Sequence, residues 1–329
     1  MAETKLVLGV SSCFLTRRYE DPENWIDFIK KAGFDYMSLD SDMLDPFFSG
    51  TAEYIDQFAR RIHRYADRCD MKVADYLTGT ASYRFLGLAH KDEAQRNRMK
   101  EWFKGAIDIA AAIGADCAGG RCDAYPVEAL GDPEELSKRY GYVVEAYREL
   151  AGYAKMKGLR SIYFEQMYVP SLKPYTLDET DKYIGDLNKN LENAVPIRPV
   201  VDVGHACGQA YGISGDDLSY EKWLERFGGA CRVIHLQQTR REKSDHSPFA
   251  PGYEGDVKIE SAVDAIRKSL SDSADSRWRK YIEPENEILL LLEQIPSTTQ
   301  NEEEVLEDLH ASYSYLRRVI PKEGLTIRY

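Results

Sequence analysis

Short runs of apolar, strand-favouring residues alternate with longer amphipathic segments along the whole chain. A short apolar run bounded by turn signals is typical of a buried strand, whereas apolar residues that recur at intervals of three and four predict a helix. The predicted strands occupy 5–12, 35–40, 72–77, 116–120, 161–166, 199–206, 232–238 and 280–286. The predicted helices occupy 21–33, 51–69, 91–113, 131–158, 178–191, 258–271 and 301–319.

Strands that alternate with helices pair in parallel through right-handed crossovers. Eight such units in 329 residues fit a closed α/β barrel, the (β/α)8 or TIM barrel, better than a doubly wound sheet. The first strand–helix junction lacks the GxGxxG pattern, which disfavours a dinucleotide-binding fold. We therefore expect residues 1–329 to form a single TIM-barrel domain. Its site should lie in the longer loops that follow the strands.

Composition excludes some classes of partner. The 43 basic and 55 acidic residues give a net charge of −12, which disfavours binding to nucleic acid or to anionic membranes. No apolar stretch reaches the roughly 18 residues of a membrane span, and "ILLLLEQI" is too short. The start "MAETKLVLG" lacks the pattern of a secretion signal, and the six cysteines show no paired spacing. We expect a cytoplasmic protein with reduced thiols.

Four polar side chains lie near the carboxyl ends of the last four predicted strands, namely Glu165, Asp202, His235 and Glu283. A barrel would bring them together around one axis. Two glutamates, an aspartate and an imidazole suit Mn²⁺ or Mg²⁺, and also Co²⁺ or Zn²⁺. Each residue alone has an ordinary interpretation: Asp202 could cap a turn, and Glu283 could pair with Arg279. Their recurrence on four consecutive strands favours a site for one divalent metal ion.

These residues also resemble the signature of a known protein family. Glu165, the D-x-x-H of Asp202 and His205, His235, and "IEP" at Glu283 resemble the signature of the xylose isomerase-like TIM barrels, in the branch of sugar-phosphate isomerases and epimerases. More narrowly, "LGVSSCF", "DMLDP" and "HLQQTRREKSDHSPFAPGYEGDV" resemble the tetrulose-phosphate epimerases of erythritol catabolism.

The resemblance implies a metal site formed by Glu165, Asp202, His235 and Glu283. It implies that Glu165 and Glu283 also serve as the acid/base pair, and that His205 and Arg241 contact the substrate. It further implies a homodimer or homotetramer. Ketose 3-epimerases carry another glutamate six residues after the first, where this chain has Ser171, so a free hexose is disfavoured as substrate.

Cationic residues cluster in the predicted loops after the strands despite the acidic total, and arginine forks suit phosphate. We therefore expect an anionic substrate, most simply a sugar phosphate. The predicted substrate-binding residues are His205, Arg241, Arg240, Gln237, His246, Arg121, Lys173 and Arg17.

The ligand set predicts a chemistry. A metal ion that binds a ketose carbonyl stabilises an enediolate, while one carboxylate removes the neighbouring proton and an acid returns one. The expected activity is epimerisation or isomerisation of a small ketose phosphate such as erythrulose phosphate. The alternatives are a metal-dependent lyase or dehydratase acting on an acid sugar, and a non-catalytic sugar-binding barrel. An endonuclease IV-like phosphodiesterase is disfavoured because it needs many histidines, and the chain has six.

Overall fold

Eight parallel strands close into a barrel in the computed structural model, which describes residues 2–15, 18–78, 87–271 and 276–329. The strands pair in chain order, and β1 pairs with both β2 and β8, which closes the ring. Their bounds are β1 Glu3–Ser11, β2 Tyr36–Asp40, β3 Lys72–Leu77, β4 Cys117–Arg121, β5 Ser161–Glu165, β6 Ile197–Asp202, β7 Val233–Leu236 and β8 Glu287–Leu292. The predicted (β/α)8 barrel is confirmed.

Helices lie between the strands and after the last of the eight. They are α1 Pro22–Ala32, α2 Ala52–Arg68, α3 Glu93–Ala112, α4 Val127–Leu130, α5 Pro133–Met156, α6 Leu177–Asn188, α7 Tyr220–Phe227, α8 Ile259–Leu270 and α9 Glu302–Leu316. Across the described ranges, none of these helices has the length and apolar character needed to cross a bilayer.

The sequence signals at α1 act largely as expected. Pro22 occupies the first helical turn, and Gly33 ends the helix in the left-handed region with φ of 104°, which glycine adopts without strain. Asp21 lies at the N-cap position, but its side chain accepts no capping hydrogen bond. Its carboxylate instead accepts a 2.8 Å hydrogen bond from Arg61, so it ties α1 to α2.

The eighth strand lies seven residues later than predicted. The segment 280–286 contains Pro284, which has no N–H for a ladder, and forms the turn and loop that precede β8. The observed strand, with sequence EILLLL, is buried at five of its six positions. A parallel barrel strand is covered on both faces and therefore has a continuous apolar run rather than an alternating pattern.

A ninth strand, β9 Leu325–Arg328, was absent from the predicted set. It pairs antiparallel with the first residues of β1. Tyr329 and Ala2 extend this pairing, and their backbones exchange hydrogen bonds of 3.0 and 3.1 Å. The amino end of β1 is thereby covered on its outer flank.

Side chains along each strand alternate between the barrel interior and the layer beneath the helices. Leu289 and Leu291 belong to the interior cluster, while Ile288 and Leu290 belong to the larger cluster between sheet and helices. Because this period is two residues, the residue that continues the interior row after Leu291 is Glu293. The same alternation directs the last inward side chains of β5, β6 and β7 toward one axis.

Candidate metal centre

Four side chains from β5 to β8 meet at the carboxyl end of the barrel. Glu165 ends β5, Asp202 ends β6, His235 lies in β7, and Glu293 directly follows β8. All four are buried, and one ligand atom from each lies within 4.8 Å of the others. The barrel therefore concentrates three carboxylates and one imidazole in a space that water barely reaches.

His235 lies between the two glutamates. Its Nδ1 lies 2.8 Å from Glu165 Oε1 and 3.4 Å from Glu293 Oε2. Burial alone would lower the pKa of His235, but the charges of Glu293 and Glu165 outweigh burial and raise this pKa to about 10. The two carboxylates therefore strongly favour a positive charge between them, here that of the protonated His235 imidazole.

The pKa values of the three buried carboxylates shift in different directions. Burial, together with the charges of Glu165 and Asp202, raises the pKa of Glu293 well above its usual range. Burial acts in the same direction on Glu165, yet the charge and hydrogen bond of His235 bring the Glu165 pKa below its ordinary value. The pKa of Asp202 is also lowered, because the charges of His205, His246 and His235 overcome its burial.

The donor set fits a divalent cation. Oxygen-rich ligands with one imidazole suit Mg²⁺, Mn²⁺ or Zn²⁺, and three buried acids are costly without a compensating charge. The buried Nε2 of His235 has no hydrogen-bond partner, so no protein acceptor fixes the proton on that side of the ring. Nδ1, which faces the carboxylates, is the atom positioned to serve as a ligand.

Glu283 is not part of this cluster, and its predicted position near the carboxyl end of the eighth strand is wrong. It is exposed and precedes β8, so it lies at the amino end of the barrel. Its carbonyl oxygen accepts a 3.0 Å hydrogen bond from Arg198, near the start of β6. Glu293, ten residues later, takes the place that the sequence assigned to Glu283.

A second group of possible metal ligands consists of Asp202, His205 and His246. It adjoins the first group, with which it shares Asp202. His205 Nδ1 lies 2.8 Å from the carbonyl oxygen of Gln166, which can only accept, so Nδ1 carries a proton. This leaves Nε2 facing Asp202 Oδ2 at 3.6 Å. His246 Nδ1 lies 3.6 Å from Glu293 Oε2.

Gln237 positions these groups from below. Its Nε2 lies 2.8 and 3.0 Å from the two carboxylate oxygens of Asp202. Its Oε1 accepts hydrogen bonds from the His246 backbone N–H at 2.7 Å and from the Ser244 hydroxyl at 3.2 Å. Gln237 is fully buried, so its contacts favour a role in orienting Asp202 and the His246 loop.

A cavity of about 940 Å³ opens above the cluster. Glu165, Glu293, His205 and His246 line it on the side of the candidate metal centre, and Arg121 lines it at the end of β4. Arg121 pairs in register with Glu165 in the neighbouring strand. The ring of Tyr168, another lining residue, lies 4.9 Å from that of His205. The space is large enough for a small sugar phosphate.

Among the described residues, the other predicted cations, Lys173, Arg240 and Arg241, are not part of the cavity lining. Lys173 hydrogen-bonds to Glu179, and Arg241 lies 3.6 Å from Glu221. Arg240 is exposed, and Arg17 lies outside the described residues. Of the arginines and lysines predicted to bind substrate, Arg121 is the one among the described residues that reaches this space.

Among the glutamates and histidines that line the cavity, sequence reasoning missed Glu293 and His90. Glu293 could have been found, because it is the first acid after the apolar run of β8. His90 lies before α3, among polar residues of a connecting segment, and no spacing signal marked it. In the structure, His90 is one of the residues that line the cavity.

Fold and site together define the class of this protein. The model of the xylose isomerase-like TIM barrel family matches residues 26–298, and the chain belongs to this family. A curated relative is D-erythrulose 1-phosphate 3-epimerase of Brucella abortus (strain 2308). It is 22% identical over 256 residues, which cover 78% of this chain and 81% of the relative.

Solved structures share the architecture. A candidate xylose isomerase from Rhodospirillum rubrum superposes with a TM-score of 0.82 at 23% identity, covering 97% of this chain and 100% of the other. A D-psicose 3-epimerase with D-tagatose, from Clostridium cellulolyticum H10, gives a TM-score of 0.67 at 14% identity and covers 95% and 99% of the two chains. At these identities the two structures establish the common fold.

Proposed function

We propose that this protein is a divalent-metal-dependent epimerase or isomerase of a small ketose phosphate, with erythrulose phosphate as the first substrate to test. Membership of the xylose isomerase-like family supports the reaction class. The erythrulose-phosphate relative supports the phosphorylated four-carbon substrate. A single-domain organisation, a cytoplasmic location and a homo-oligomeric state remain predictions.

One observation carries the proposal: two glutamates on distant strands face one cavity and contact the same imidazole. Glu165 and Glu293 both line the cavity, and both lie within 3.4 Å of His235 Nδ1. Strands β5 and β8 are separated by two strands around the ring, so the two carboxylates approach a bound substrate from different directions. This arrangement suits removal of a proton on one face and its return on the other.

The ligands in this proposal are Glu165, Asp202, His235 and Glu293. A divalent ion bound there supplies Lewis-acid polarisation of the ketose carbonyl. Asp202, held by Gln237, has no place on the cavity wall and acts through its charge and position. The two glutamates line the cavity, and in this proposal they exchange protons with the substrate.

In the proposed reaction, one glutamate removes the proton from the carbon next to the carbonyl, which gives an enediolate. Proton return by the second glutamate to the opposite face of the same carbon inverts that centre. Conversion to an aldose instead requires removal of a proton from the hydroxymethyl carbon on the other side of the carbonyl and its return to the carbonyl carbon. His205, whose Nδ1 is fixed by Gln166, presents Nε2 to a substrate oxygen.

Proton exchange in D₂O, followed by NMR, tests the proposal. The purified protein with added Mn²⁺ or Mg²⁺ is incubated with C4 to C6 ketose phosphates. Because Mn²⁺ broadens resonances, those samples are treated with a chelator before the spectra are recorded. Exchange at C3 with inversion identifies an epimerase, and exchange with appearance of an aldose identifies an isomerase. Absence of exchange for every ketose phosphate contradicts the proposal.

A further inference from the structure

We infer that His90 and Arg121 form the subsite that binds the phosphate group of the substrate. Both side chains line the cavity that also contains Glu165 and Glu293. The inference deepens the proposed function and rests on it. It assigns a binding role to His90, a residue to which neither the sequence signals nor the metal cluster gave one.

Charge favours such a subsite. Two buried glutamates line the cavity, and the chain carries a net charge of −12, so a phosphate dianion entering the cavity needs cationic or hydrogen-bond-donating partners. Arg121 is the one permanently cationic side chain among the described residues that line the cavity. His205 and His246 are already placed against Asp202. His90 is the lining histidine that lies outside this acidic cluster.

A hydrogen bond from the nearby backbone orients the ring of His90. The backbone N–H of Asp92 donates a 3.0 Å hydrogen bond to His90 Nδ1. Because Nδ1 accepts this bond, the ring proton of the neutral form resides on Nε2. Nε2 is thus a hydrogen-bond donor, the type of group that a phosphate oxygen requires.

The segment that carries His90 is fixed by buried charges from other elements. The Asp123 carboxylate accepts hydrogen bonds from the backbone N–H groups of Gly87, at 3.1 Å, and Ala89. Arg139 donates to the carbonyl of Ala89 at 3.3 Å.

Beyond these contacts, Arg96 donates to the carbonyl of His90 at 2.9 Å. The guanidinium of Arg96 is itself held over the ring of Tyr142, at 3.9 Å from the centroid. A loop anchored at three successive points before α3 keeps its histidine in place, and such preorganisation lowers the entropy cost of binding a ligand.

Arg121 completes the subsite from the barrel wall. It is the last residue of β4, and its register partner in β5 is Glu165. The strand end therefore places Arg121 beside the proposed acid/base residue Glu165 in the sheet. A phosphate held by Arg121 would fix the reacting carbon close to Glu165, because the phosphate and the carbonyl of a short ketose phosphate are separated by few bonds.

The test compares phosphorylated with free substrate in the metal-loaded protein. His90→Ala should raise KM for the ketose phosphate about 10- to 100-fold, the effect of losing one hydrogen bond to a charged group. The value of kcat should change little, because the lost contact is made equally in ground and transition states. KM for the dephosphorylated ketose should change by less than about twofold.

Two further variants control the result. His90→Gln keeps a side-chain donor and should recover part of the lost affinity, whereas His310→Ala, an exposed histidine on α9, should match the wild type. Arg121→Gln should show the same selectivity for the phosphorylated substrate as His90→Ala. Equal losses for the phosphorylated and free sugars in His90→Ala would overturn the subsite.

Binding of inorganic phosphate, measured by calorimetry, separates this inference from the proposed function. Phosphate binding by the wild type that is lost in His90→Ala supports the subsite even when no ketose phosphate is turned over. Turnover of ketose phosphates with phosphate binding unchanged in His90→Ala contradicts the subsite and leaves the proposed function intact.

Discussion

The two ends of the barrel hold buried acids in opposite ways. At the amino end, Glu285 lies 2.7 Å from Arg198 Nε, a close charge pair without hydrogen-bond alignment. At the carboxyl end, the ion pairs of the described residues give Glu165 and Glu293 histidine partners and no arginine or lysine. The buried acid at the amino end is neutralised by an arginine of the chain, whereas the buried acids at the carboxyl end favour a cation from solution.

The amino end contains a second buried arginine that pairs with carboxylates. Arg232, almost fully buried, lies 3.1 Å from Asp116 and 3.4 Å from Glu287. Arginine carries a permanent charge and a rigid fork, so it suits fixed pairs of this kind. In this fold the amino end serves stability and the carboxyl end serves chemistry, and the distribution of arginine follows that division.

The largest expected effect comes from the acid at the carboxyl end. Glu293→Gln should lower kcat/KM by about 10²- to 10⁴-fold, the usual contribution of an acid/base group. The matched control is Glu283→Gln at the amino end, which should retain activity. Turnover and metal content are measured together for both variants, and an equal loss in Glu283→Gln would remove the distinction between the ends.

Breaking a pair at the amino end should reduce stability. Arg198→Met removes the nearest and buried partner of Glu285, and we expect the free energy of unfolding to fall by about 3–5 kcal/mol. The measurement is urea denaturation with saturating metal. Arg160, a half-exposed second partner of Glu285, provides the control, since Arg160→Met should cost less than about 1 kcal/mol. Equal costs would argue against a self-neutralised amino end.

Metal removal should lower the stability of the folded protein through the ligands at the carboxyl end alone. A metal concentration one hundred times its Kd should stabilise the folded protein by about 2.7 kcal/mol, and a chelator should remove this contribution. Thermal unfolding with and without the chelator measures it. In Asp202→Asn the difference should shrink strongly, while in Glu283→Gln it should persist. A chelator that leaves the wild-type Tm unchanged would exclude a stabilising metal.

The smallest expected effect concerns the residue that orients Asp202. Gln237→Met removes the amide that contacts both Asp202 oxygens, and metal affinity should fall about 10- to 100-fold. Metal titration by calorimetry measures this change. Gln238→Met is the neighbouring control: Gln238 contacts Val257 and Thr239 instead, so stability should fall with metal affinity retained.

The contrast between β5 to β7 and β8 shows what the sequence could reveal. In β5, β6 and β7 each predicted ligand lies in or at the end of a short apolar run, so position in the run and position in the site coincide. For β8 the prediction followed the mixed segment 280–286, which contains Pro284, and the uniformly apolar run beyond it was considered only as a membrane span. The ligand was therefore misplaced by ten residues, from Glu293 to Glu283, although the number of parallel barrel strands was correct.

Charge partners were harder to foresee than strand ends. Lys173 and Arg121 look alike in the sequence, since both lie close to the ends of barrel strands. The structure pairs Lys173 with Glu179 and directs Arg121 to the cavity. Which of these cations lines the cavity depends on how the loops fold in three dimensions, and residue spacing alone does not encode it.

The pairing of β9 with β1 has a practical consequence. Because Ala2 and Tyr329 exchange backbone hydrogen bonds, these two residues lie side by side at the amino end of the barrel, opposite the cavity. A short linker could therefore join them and permit circular permutation, with new ends opened in an exposed surface loop. A tag or surface tether at either end would likewise leave the cavity facing solvent, which makes the protein well suited to oriented immobilisation.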